Sequence, residues 1–437
     1  MTTLIMIAQL ILGLSILVAL HEMGHFIAAR AFGVKVEKFY IFFDFWKIKL
    51  FKFKKGDTEY GIGWFPLGGY VKIAGMIDES LDTEKMKEPP QPWEFRSKPA
   101  WQRLIIMLAG VIVNAILGII LFTFVLLHYE KEYLPNEALT EGVYAYETAR
   151  AIGFQSGDKI VSVNGNAIER FKDALAPTIF MGGKVVVERK GQQVEIAIPD
   201  TLYKTISTNG KGLFLAPTNY SFKVDSVLPE ANAAKAGIKP NDRIIALDSN
   251  IVTTWGQFSE LVRGSKGKTF QATIIRNIDT LTFPLSVDTI GMIGITAKIP
   301  YANKSYNIIS AIHYGFKDAW DMSVANVKGL GKVFSGKVKA TDSVQGPIGI
   351  AKIYGGVWDW QRFWFITGLL SLILAFMNIL PIPALDGGHV IFLTIEAITG
   401  KKFSDKFLER AQIVGMVILL AIMAFAIGND LYKVFFK

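Results

Sequence analysis

Five residues of the chain, His21-Glu22-Met23-Gly24-His25, have the types and the spacing of a catalytic zinc site. On a helix, side chains four positions apart project from one face, so His21 and His25 can bind a single zinc ion. Glu22 then lies beside the metal, where its carboxylate can accept a proton from bound water. The chain has five histidines, and with so few the motif arises by chance in roughly three of a thousand such chains. The segment therefore predicts a zinc hydrolase.

A third protein ligand is needed for hydrolytic zinc, and Asp386 is the best candidate. It stands in the segment 378–389, Asn-Ile-Leu-Pro-Ile-Pro-Ala-Leu-Asp-Gly-Gly-His, at the end of an apolar run. A carboxylate at membrane depth is unfavourable unless it is paired or binds a metal. Pro381 and Pro383 are expected to stop the preceding helix, and Gly387-Gly388 lets the backbone pass close to a ligand. The alternative is that Asp386 only caps the helix that follows.

Four apolar segments are long enough to be membrane helices, and the zinc motif lies within the first of them. They run from about Leu4 to Phe32, Leu104 to Leu127, Phe363 to Leu380 and Ala411 to Ile427. Hydrophobic residues make up 51% of the 437 residues and charged residues 19%, which suits a chain that is part membrane protein and part soluble. The metal chemistry is therefore expected inside or beside a lipid bilayer.

The distribution of charge predicts the orientation of the chain in the membrane and argues against a nucleic-acid partner. The net charge is +9, but no compact basic cluster stands out. Basic residues are concentrated in the loops after the first span and before the fourth span: Lys47, Lys49, Lys52, Lys54, Lys55, Lys401, Lys402, Lys406 and Arg410. Both loops are expected on the cytoplasmic side, with the long middle region on the outer side. The absence of cysteine excludes disulfides and thiolate metal sites.

The middle region, about residues 129–300, has a soluble composition and contains an internal repeat. Gly153-x-x-x-x-Asp158 recurs 84 positions later as Gly237-x-x-x-x-Asp242. The pattern resembles two PDZ domains in tandem, over 129–217 and 218–300. PDZ domains bind extended peptides by adding a strand to a sheet edge, so a peptide ligand is one expectation. The other, equally open, is that the two domains act as a steric gate.

Taken together, the two metal-binding segments and the repeat resemble the site-2 protease family of intramembrane zinc metalloproteases, and within it the bacterial RseP-like members. The family pattern is His-Glu-x-x-His on the first core helix and Asn-x-x-Pro-x-Pro-x-Leu-Asp-Gly-Gly on the third, and both stand unbroken here. The resemblance implies that His21, His25 and Asp386 bind one Zn²⁺ ion and that Glu22 is the catalytic acid and base. It also implies that Asn378 supports the substrate backbone or the developing oxyanion.

Asn114 on the second span matches another polar position of the family, which implies support of catalysis. The alternative is a plain hydrogen bond between membrane helices.

Residues 60–74, Tyr-Gly-Ile-Gly-Trp-Phe-Pro-Leu-Gly-Gly-Tyr-Val-Lys-Ile-Ala, predict a β-hairpin because they are punctuated by glycine and alternate in places. The segment resembles the membrane re-entrant β-loop of the family, which presents an edge to substrate. Gly68 and Gly69 are therefore expected to support substrate binding. An ordinary cytoplasmic hairpin is the alternative. The stretch 346–350, Gly-Pro-Ile-Gly-Ile, also recurs in the family, without a role that the residues alone predict.

The expected fold is a multi-pass α-helical membrane protein with four transmembrane helices, a cytoplasmic-side re-entrant β-loop and two inserted PDZ-like α/β domains. The predicted parts are the first span with the zinc motif, the cytoplasmic-side loop with a β-hairpin and an amphipathic segment, the second span, the two PDZ-like domains, a linker or amphipathic segment, the third span with the Leu-Asp-Gly-Gly-His segment, and the fourth span. Their boundaries are 1–32, 33–103, 104–128, 129–217, 218–300, 301–362, 363–398 and 411–430.

The expected activity is zinc-dependent endopeptidase cleavage within the transmembrane segments of single-pass proteins in a bacterial inner membrane. The resemblance implies anti-sigma-factor-like substrates that are already trimmed on the outer side, and remnant signal peptides as a second class. PDZ domains on the periplasmic side could exclude substrates with intact ectodomains. One alternative is an inert membrane-anchored PDZ receptor, which is expected to lack Glu22 or a ligand. Another is a zinc transporter, which predicts several metal sites.

Overall fold

The computed structural model describes residues 2–44, 46, 48–76, 88–202 and 214–436. It divides the chain into two compact units, which we call the membrane unit (Met1–Lys131 and Tyr306–Lys437) and the inserted unit (Glu132–Ser305). Lys47, one of the predicted loop lysines, lies outside the described residues.

The described α-helices are, in chain order, α1 (Thr2–Ala31), α2 (Ala100–Val125), α3 (Glu147–Arg150), α4 (Asn232–Lys235), α5 (Trp255–Arg263), α6 (Ile308–Phe334), α7 (Ala340–Ser343), α8 (Pro347–Tyr354), α9 (Trp360–Ile379), α10 (Asp386–Thr399) and α11 (Asp405–Phe436). The membrane unit contains the strands β1 (Val36–Phe43), β2 (Lys49–Lys55), β3 (Thr58–Gly63) and β4 (Phe65–Ile73). The inserted unit contains β5 (Glu132–Tyr133), β6 (Tyr144–Ala145), β7 (Lys159–Val163), β8 (Asn166–Ala167), β9 (Lys184–Arg189), β10 (Gln192–Ala197), β11 (Leu215–Ala216), β12 (Val224–Val227), β13 (Arg243–Leu247), β14 (Asn250–Ile251), β15 (Thr269–Arg276), β16 (Asp279–Ser286), β17 (Ile295–Ala297) and β18 (Lys304–Ser305).

Four helical segments in the described part of the chain are long and apolar enough to cross a membrane, which confirms the four predicted spans. They are Thr2–Ala31, Ala100–Glu130, Trp360–Ile379 and Asp405–Phe436. The second span includes α2 and the π-helical turn Leu126–Glu130 that follows it. Many large apolar side chains on these helices are exposed, as a surface that faces lipid requires.

Small residues let the membrane helices pack closely around α2. A Cβ atom at Gly24 of α1 would lie 2.7 Å from the carbonyl oxygen of Ala109 on α2. Gly118, further along α2, lies against the side chain of Leu372 on α9. Such glycines allow helix backbones to approach without the side-chain volume that would separate them. The helix with the zinc motif is therefore packed directly on α2.

A four-stranded sheet follows α1, and its strand order corrects the predicted hairpin over 60–74. The order is β2-β3-β1-β4, with β1 parallel to β3 and antiparallel to β4. β3 and β4 are both strands, as predicted, but they do not pair with each other because β1 lies between them. The hairpin in this region is instead formed by β2 and β3. Gly63 makes the observed path possible, because any Cβ there would collide with the backbone of Phe43 at the end of β1.

The inserted unit contains two similar antiparallel sheets, one for each copy of the sequence repeat. Their strand orders are β10-β9-β7-β8 and β14-β13-β15-β16. Separate hydrophobic cores lie against them, one drawn from residues 139–215 and one from residues 220–293. The repeat therefore corresponds to two structural modules, and their assignment as PDZ domains stays a prediction.

The repeated Gly and Asp residues have the same role in both modules. Asp158 accepts hydrogen bonds from Arg189 at 2.7 Å, and Arg189 also donates to the carbonyl of Gly153. Asp242 and Arg276 form the same ion pair in the second module, and Arg276 donates to the carbonyl of Gly237. Each buried aspartate thus joins the turn before a strand to the sheet behind it.

Candidate metal centre

Three side chains from two helices meet within the membrane unit. His21 and His25 project from the same face of α1, and their Nε2 atoms lie 3.3 Å apart. Asp386 is the first residue of α10, and its Oδ2 atom lies 3.3 Å from His21 Nε2 and 3.4 Å from His25 Nε2. In the part of the chain that the structure describes, this is the one group of three such side chains close enough to hold a metal ion.

The two Nε2 atoms and Asp386 Oδ2 have the spacing of zinc ligands, and they do not satisfy one another by hydrogen bonds. Asp386 Oδ2 is buried and, among the described residues, has no hydrogen-bond partner. A buried carboxylate oxygen without a partner is strongly unfavourable. Tetrahedral zinc with ligands at 2.0 to 2.1 Å places neighbouring ligand atoms about 3.3 to 3.4 Å apart, which is the spacing seen here. Neutral imidazole and carboxylate are also the ligands that zinc prefers.

The hydrogen-bond partner of Nδ1 in each imidazole determines whether Nε2 carries a hydrogen or a lone pair toward the cluster. His25 Nδ1 lies 2.8 Å from the carbonyl oxygen of Ile106 on α2. Because a carbonyl can only accept, Nδ1 carries the hydrogen and Nε2 keeps its lone pair. A zinc-binding histidine is commonly fixed in this way.

His21 has an amide as its partner in place of a carbonyl. The side-chain amide of Asn114 lies 3.2 Å from His21 Nδ1, and Asn114 Oδ1 is buried without another hydrogen-bond partner in the described chain. A flip of this amide, which exchanges two atoms of nearly equal size, lets Oδ1 accept from Nδ1–H. Both imidazoles then present an Nε2 lone pair to the same point.

Glu22 follows His21 on α1, next to strand β4 of the sheet. Its carboxyl group lies beside the backbone N–H of Val71 on β4. Within the described residues β4 pairs only with β1, so it is an edge strand of the sheet. A sheet edge and the predicted catalytic carboxylate are therefore neighbours.

The predicted substrate-binding residues Gly68 and Gly69 lie on this edge strand, and packing accounts for both. A Cβ atom at Gly69 would lie 2.6 Å from Val18 of α1 and 2.6 Å from the carbonyl oxygen of Tyr40 on β1. Gly68 has a φ of +145° and lies against the ring of Phe43. Gly69 therefore allows β4 to approach α1 one turn before the zinc motif, and Gly68 makes room for the ring of Phe43 on β1.

Asn378 lies in the last turn of α9, and its amide Nδ2 is 3.2 Å from His21 Nε2. It is therefore on the side of the imidazole that faces Asp386. The structure brings together residues from four helices that are separated in sequence: His21, Glu22 and His25 of α1, Asn114 of α2, Asn378 of α9 and Asp386 of α10.

The chain between Asn378 and Asp386 turns sharply after α9 ends. Ala384 has a φ of +83°, a left-handed conformation that is unfavourable for a residue with a Cβ. A Cβ at Gly388 would lie 2.6 Å from the carbonyl oxygen of Ile382, so the turn needs glycine there. The residue before α10 is Leu385, and in the described chain no side chain caps this helix. The alternative that Asp386 serves as a cap is therefore wrong.

Gly110 is a residue of the site whose role the sequence did not predict. A Cβ atom there would collide with His25 Nε2 and would lie 2.7 Å from His21 Cε1. Gly110 is four positions before Asn114, so both face the same side of α2. That spacing was the available signal, since Asn114 was already a candidate.

The stretch 346–350 also gains a structural explanation. Asp430, near the end of α11, accepts hydrogen bonds from the backbone N–H groups of Gly346 and Gly349 at 3.1 and 2.9 Å. A Cβ at Gly346 would lie 2.7 Å from the Asp430 carboxylate. The two glycines therefore let a carboxylate from a membrane helix bind the N-terminus of α8, where negative charge is favourable.

Comparison with known proteins shows that this chain is similar to proteases. The model of Peptidase family M50 matches residues 9–422. A Neisseria meningitidis protein named as a candidate zinc metalloprotease is 31% identical over 455 residues, which cover 97% of this chain and 98% of that protein. The regulator of sigma-E protease RseP of Escherichia coli is 28% identical over 456 residues, with 97% and 98% covered. The regulator of sigma E protease of Haemophilus influenzae is 26% identical, with 98% of each chain covered.

Proposed function

The chain belongs to peptidase family M50, the site-2 proteases, and we propose that it cleaves the transmembrane segments of single-pass membrane proteins. The predicted zinc metalloprotease class and the predicted Zn²⁺ cofactor are confirmed by the family and by the names of the relatives. We propose His21, His25 and Asp386 as the zinc ligands and Glu22 as the general acid and base.

One observation carries this proposal. Asp386 meets His21 and His25 at the spacing of tetrahedral zinc ligands, and both histidines belong to a helix that is apolar enough to cross a membrane. The same helix supplies Glu22, so the helix backbone fixes the position of the proposed base relative to the two histidine ligands. The zinc-transporter alternative is not favoured, since within the described ranges a single metal-binding group is found. An inert receptor is not favoured either, because no member of the site is missing.

Glu22 supplies the proton transfers of the proposed reaction. Zinc, when bound, supplies Lewis acidity that activates water and polarises the scissile carbonyl. The Glu22 carboxylate takes a proton from the attacking water as the new C–O bond forms. It then returns that proton to the amide nitrogen as the C–N bond breaks.

The two asparagines have different roles in this proposal. Asn114 holds His21 through Nδ1, away from the ligand atoms, and therefore positions the ring. Asn378 lies on the side of His21 that faces Asp386, where its N–H can donate to the developing oxyanion of the substrate. Asn114 substitutions should therefore weaken zinc binding, whereas Asn378 substitutions should mainly lower the rate of cleavage.

The substrate must present an extended backbone to this site. A transmembrane helix hides its carbonyl groups in hydrogen bonds, so the scissile segment must unwind before attack. The edge strand β4 lies beside Glu22 and can pair with such an unwound segment through its backbone. We therefore expect helix-weakening residues in the substrate to matter more than a strict side-chain code.

We propose an anti-sigma-factor-like protein of the bacterial inner membrane as the substrate class, with remnant signal peptides as a second class. The names of the relatives, regulators of sigma E, support the first class. The inserted unit, which we place on the periplasmic side, would act as a filter against substrates with intact ectodomains. Binding of a peptide by its PDZ-like modules is the alternative role.

The proposal is tested with Glu22→Gln in the full chain, assayed in detergent on a single-pass protein with helix-weakening residues in its span. Cleavage should fall by about 10²- to 10⁴-fold, the usual contribution of a positioned acid and base, while zinc content stays at one per chain. Glu188→Gln, at an exposed carboxylate on β9, is the matched control and should leave cleavage unchanged. Full cleavage by a zinc-loaded Glu22→Gln protein would exclude Glu22 from the reaction.

A further inference from the structure

Gln412 is a buried amide in the membrane helix α11, and in the sequence it lies outside the motifs described above. Its side chain is 5% exposed, although most of α11 around it is open. Its Oε1 atom accepts a hydrogen bond from the backbone N–H of Ala384, at 3.2 Å. A polar side chain at membrane depth usually has a specific function. The partner of Gln412 is two residues before Asp386.

Ala384 is the strained point of the turn that delivers Asp386. Its φ of +83° is a conformation that residues with a Cβ rarely adopt, and it persists only where the surroundings enforce it. The N–H of Ala384 bonds to Gln412, so the amide of α11 holds the backbone at this strained residue. Two residues later, Asp386 begins α10 and points its Oδ2 atom at both histidines.

Gly415 adds a second contact between α11 and the same turn. It lies three positions after Gln412, on the same face of the helix. A Cβ at Gly415 would collide with the carbonyl group of Pro383. Helix α11 therefore touches both Pro383 and Ala384, directly before the residue proposed as the third ligand.

We infer that Gln412 is a positioning residue for Asp386, and that α11 holds the metal-binding turn in its strained conformation. The inference rests on the proposed role of Asp386 as a zinc ligand. Without the acceptor from Gln412, Ala384 can relax to negative φ, and the Asp386 carboxylate then moves away from the two imidazoles. The expected consequence is weaker zinc binding, since groups that orient a ligand usually contribute 10- to 100-fold to metal affinity.

The test compares Gln412→Met with the parent protein in the purified full chain. Methionine keeps the length of the side chain and removes the acceptor. Zinc affinity is measured by competition with a chromophoric chelator, and the visible absorption of the Co²⁺-substituted protein reports the coordination geometry. We expect zinc affinity to fall by about 10- to 100-fold and the Co²⁺ spectrum to change.

Gln9→Met is the matched control. Gln9 is also a fully buried amide in a membrane helix, and it donates to the carbonyl of Gly355 at 2.9 Å. This bond ties α1 to a loop outside the metal centre. The change should lower thermal stability and leave zinc affinity and the Co²⁺ spectrum as in the parent.

A second substitution that restores zinc affinity distinguishes a positioning role of Gln412 from a role in helix packing. Glycine tolerates positive φ, so Ala384→Gly removes the strain that Gln412 holds. The double variant Gln412→Met with Ala384→Gly should recover most of the lost zinc affinity, which a role of Gln412 in helix packing alone does not predict. Should Gln412→Met not accumulate, Gly415→Ala pushes α11 off Pro383 and should weaken zinc binding in the same direction.

Asp386→Ala in the same series distinguishes two kinds of failure. If Asp386→Ala loses zinc while Gln412→Met and Gly415→Ala keep parent affinity and spectrum, the inference about α11 is overturned and the ligand assignment stands. If Asp386→Ala itself keeps zinc, the proposed ligand set is overturned, and the positioning role with it. Weaker zinc binding in Gln412→Met without rescue by Ala384→Gly also overturns the inference.

Discussion

Asp242 in the inserted unit and Asp386 in the membrane unit are carboxylates with little exposure and with opposite hydrogen-bond environments. Asp242 is 1% exposed and accepts hydrogen bonds from Arg276 at 2.8 and 2.7 Å and from the backbone N–H of Lys239 at 2.7 Å. Asp386 Oδ2 has two imidazole nitrogens nearby and, in the described residues, no hydrogen bond. A satisfied carboxylate stabilises a fold, whereas an unsatisfied one that faces lone pairs has the environment that a bound cation would complete.

The difference lies in the partner residue. Arg276 can only donate, so it neutralises Asp242 and completes the pair without any ion. A neutral imidazole whose Nδ1–H is already bonded can only accept at Nε2, so His25 cannot complete Asp386. The two aspartates thus differ in role: Asp242 is a structural residue, and Asp386 is the proposed metal ligand.

The largest effect that separates the two carboxylates is expected from Asp386→Ala. Zinc content and cleavage of a single-pass substrate should both fall to background, because a catalytic zinc site needs its third protein ligand. The thermal unfolding of the inserted unit should not change. Metal analysis and calorimetry of the same preparation check both statements, and one zinc per chain in this variant contradicts the assignment.

Asp242→Ala should have the reverse pattern. Removal of the Asp242 carboxylate leaves the Lys239 N–H and the partly exposed Arg276 without their acceptor, so the inserted unit should unfold at a lower temperature. Zinc affinity should equal that of the parent. Asp225→Ala, at an exposed aspartate on β12 of the same module, is the control and should leave both quantities unchanged. Loss of zinc in Asp242→Ala with an intact membrane unit would break the distinction between the two carboxylates.

Gly110→Ala tests whether the membrane site tolerates any added volume. The new methyl group would collide with the imidazoles of His21 and His25, so we expect zinc affinity to fall by about 10- to 100-fold. Gly428→Ala is a matched change, because the space around Gly428 on α11 is open. It should leave zinc affinity at the parent value, and a chelator competition assay measures both variants.

The smallest expected effect concerns pH and the inserted unit. Burial alone would raise the pKa of Asp242, but the hydrogen bonds from Arg276 and from the Lys239 backbone outweigh it and hold the pKa below its ordinary value. A depressed pKa in the folded state stabilises the fold above the unfolded-state pKa of about 4, and this contribution is lost as pH falls through the folded-state pKa.

Thermal unfolding of the inserted unit should therefore move to lower temperature below about pH 4. The unfolding temperature of Asp242→Asn should be lower than that of the parent at neutral pH and should depend less on pH in the acid range. Calorimetry across a pH series measures this, and parallel curves for the two proteins would contradict the prediction.

Much of the membrane unit could be predicted from the sequence because apolar length and the spacing of His21 and His25 are local signals. Asp386 was recognisable since a carboxylate after an apolar run needs a reason to be there. The pairing of β3 and β4 was predicted wrongly, because adjacent strands usually form a hairpin and the sequence does not show that β1 lies between them.

Gln412 and Asp430 were beyond sequence reasoning for a common physical reason. Gln412 and Asp430 bind backbone N–H groups of Ala384, Gly346 and Gly349, and every residue except proline has such a group. The sequence therefore does not show which residue is the hydrogen-bond partner of Gln412 or Asp430. Gly110 had one sequence signal, its four-residue spacing from Asn114, but its role depends on the absence of a side chain next to the imidazoles, and their position comes from the structure.

The contact between Gln412 and Ala384 has a consequence for the order of synthesis. During translation both segments of the metal cluster leave the ribosome before α11, because Gln412 follows Asp386 in the chain. If α11 holds the strained turn, a nascent chain with only its first three spans inserted has all three proposed ligands, but Asp386 is not yet held beside the two histidines. Proteolytic activity would then begin only when the fourth span has entered the bilayer, so an unfinished chain could not cleave its neighbours at the site of insertion.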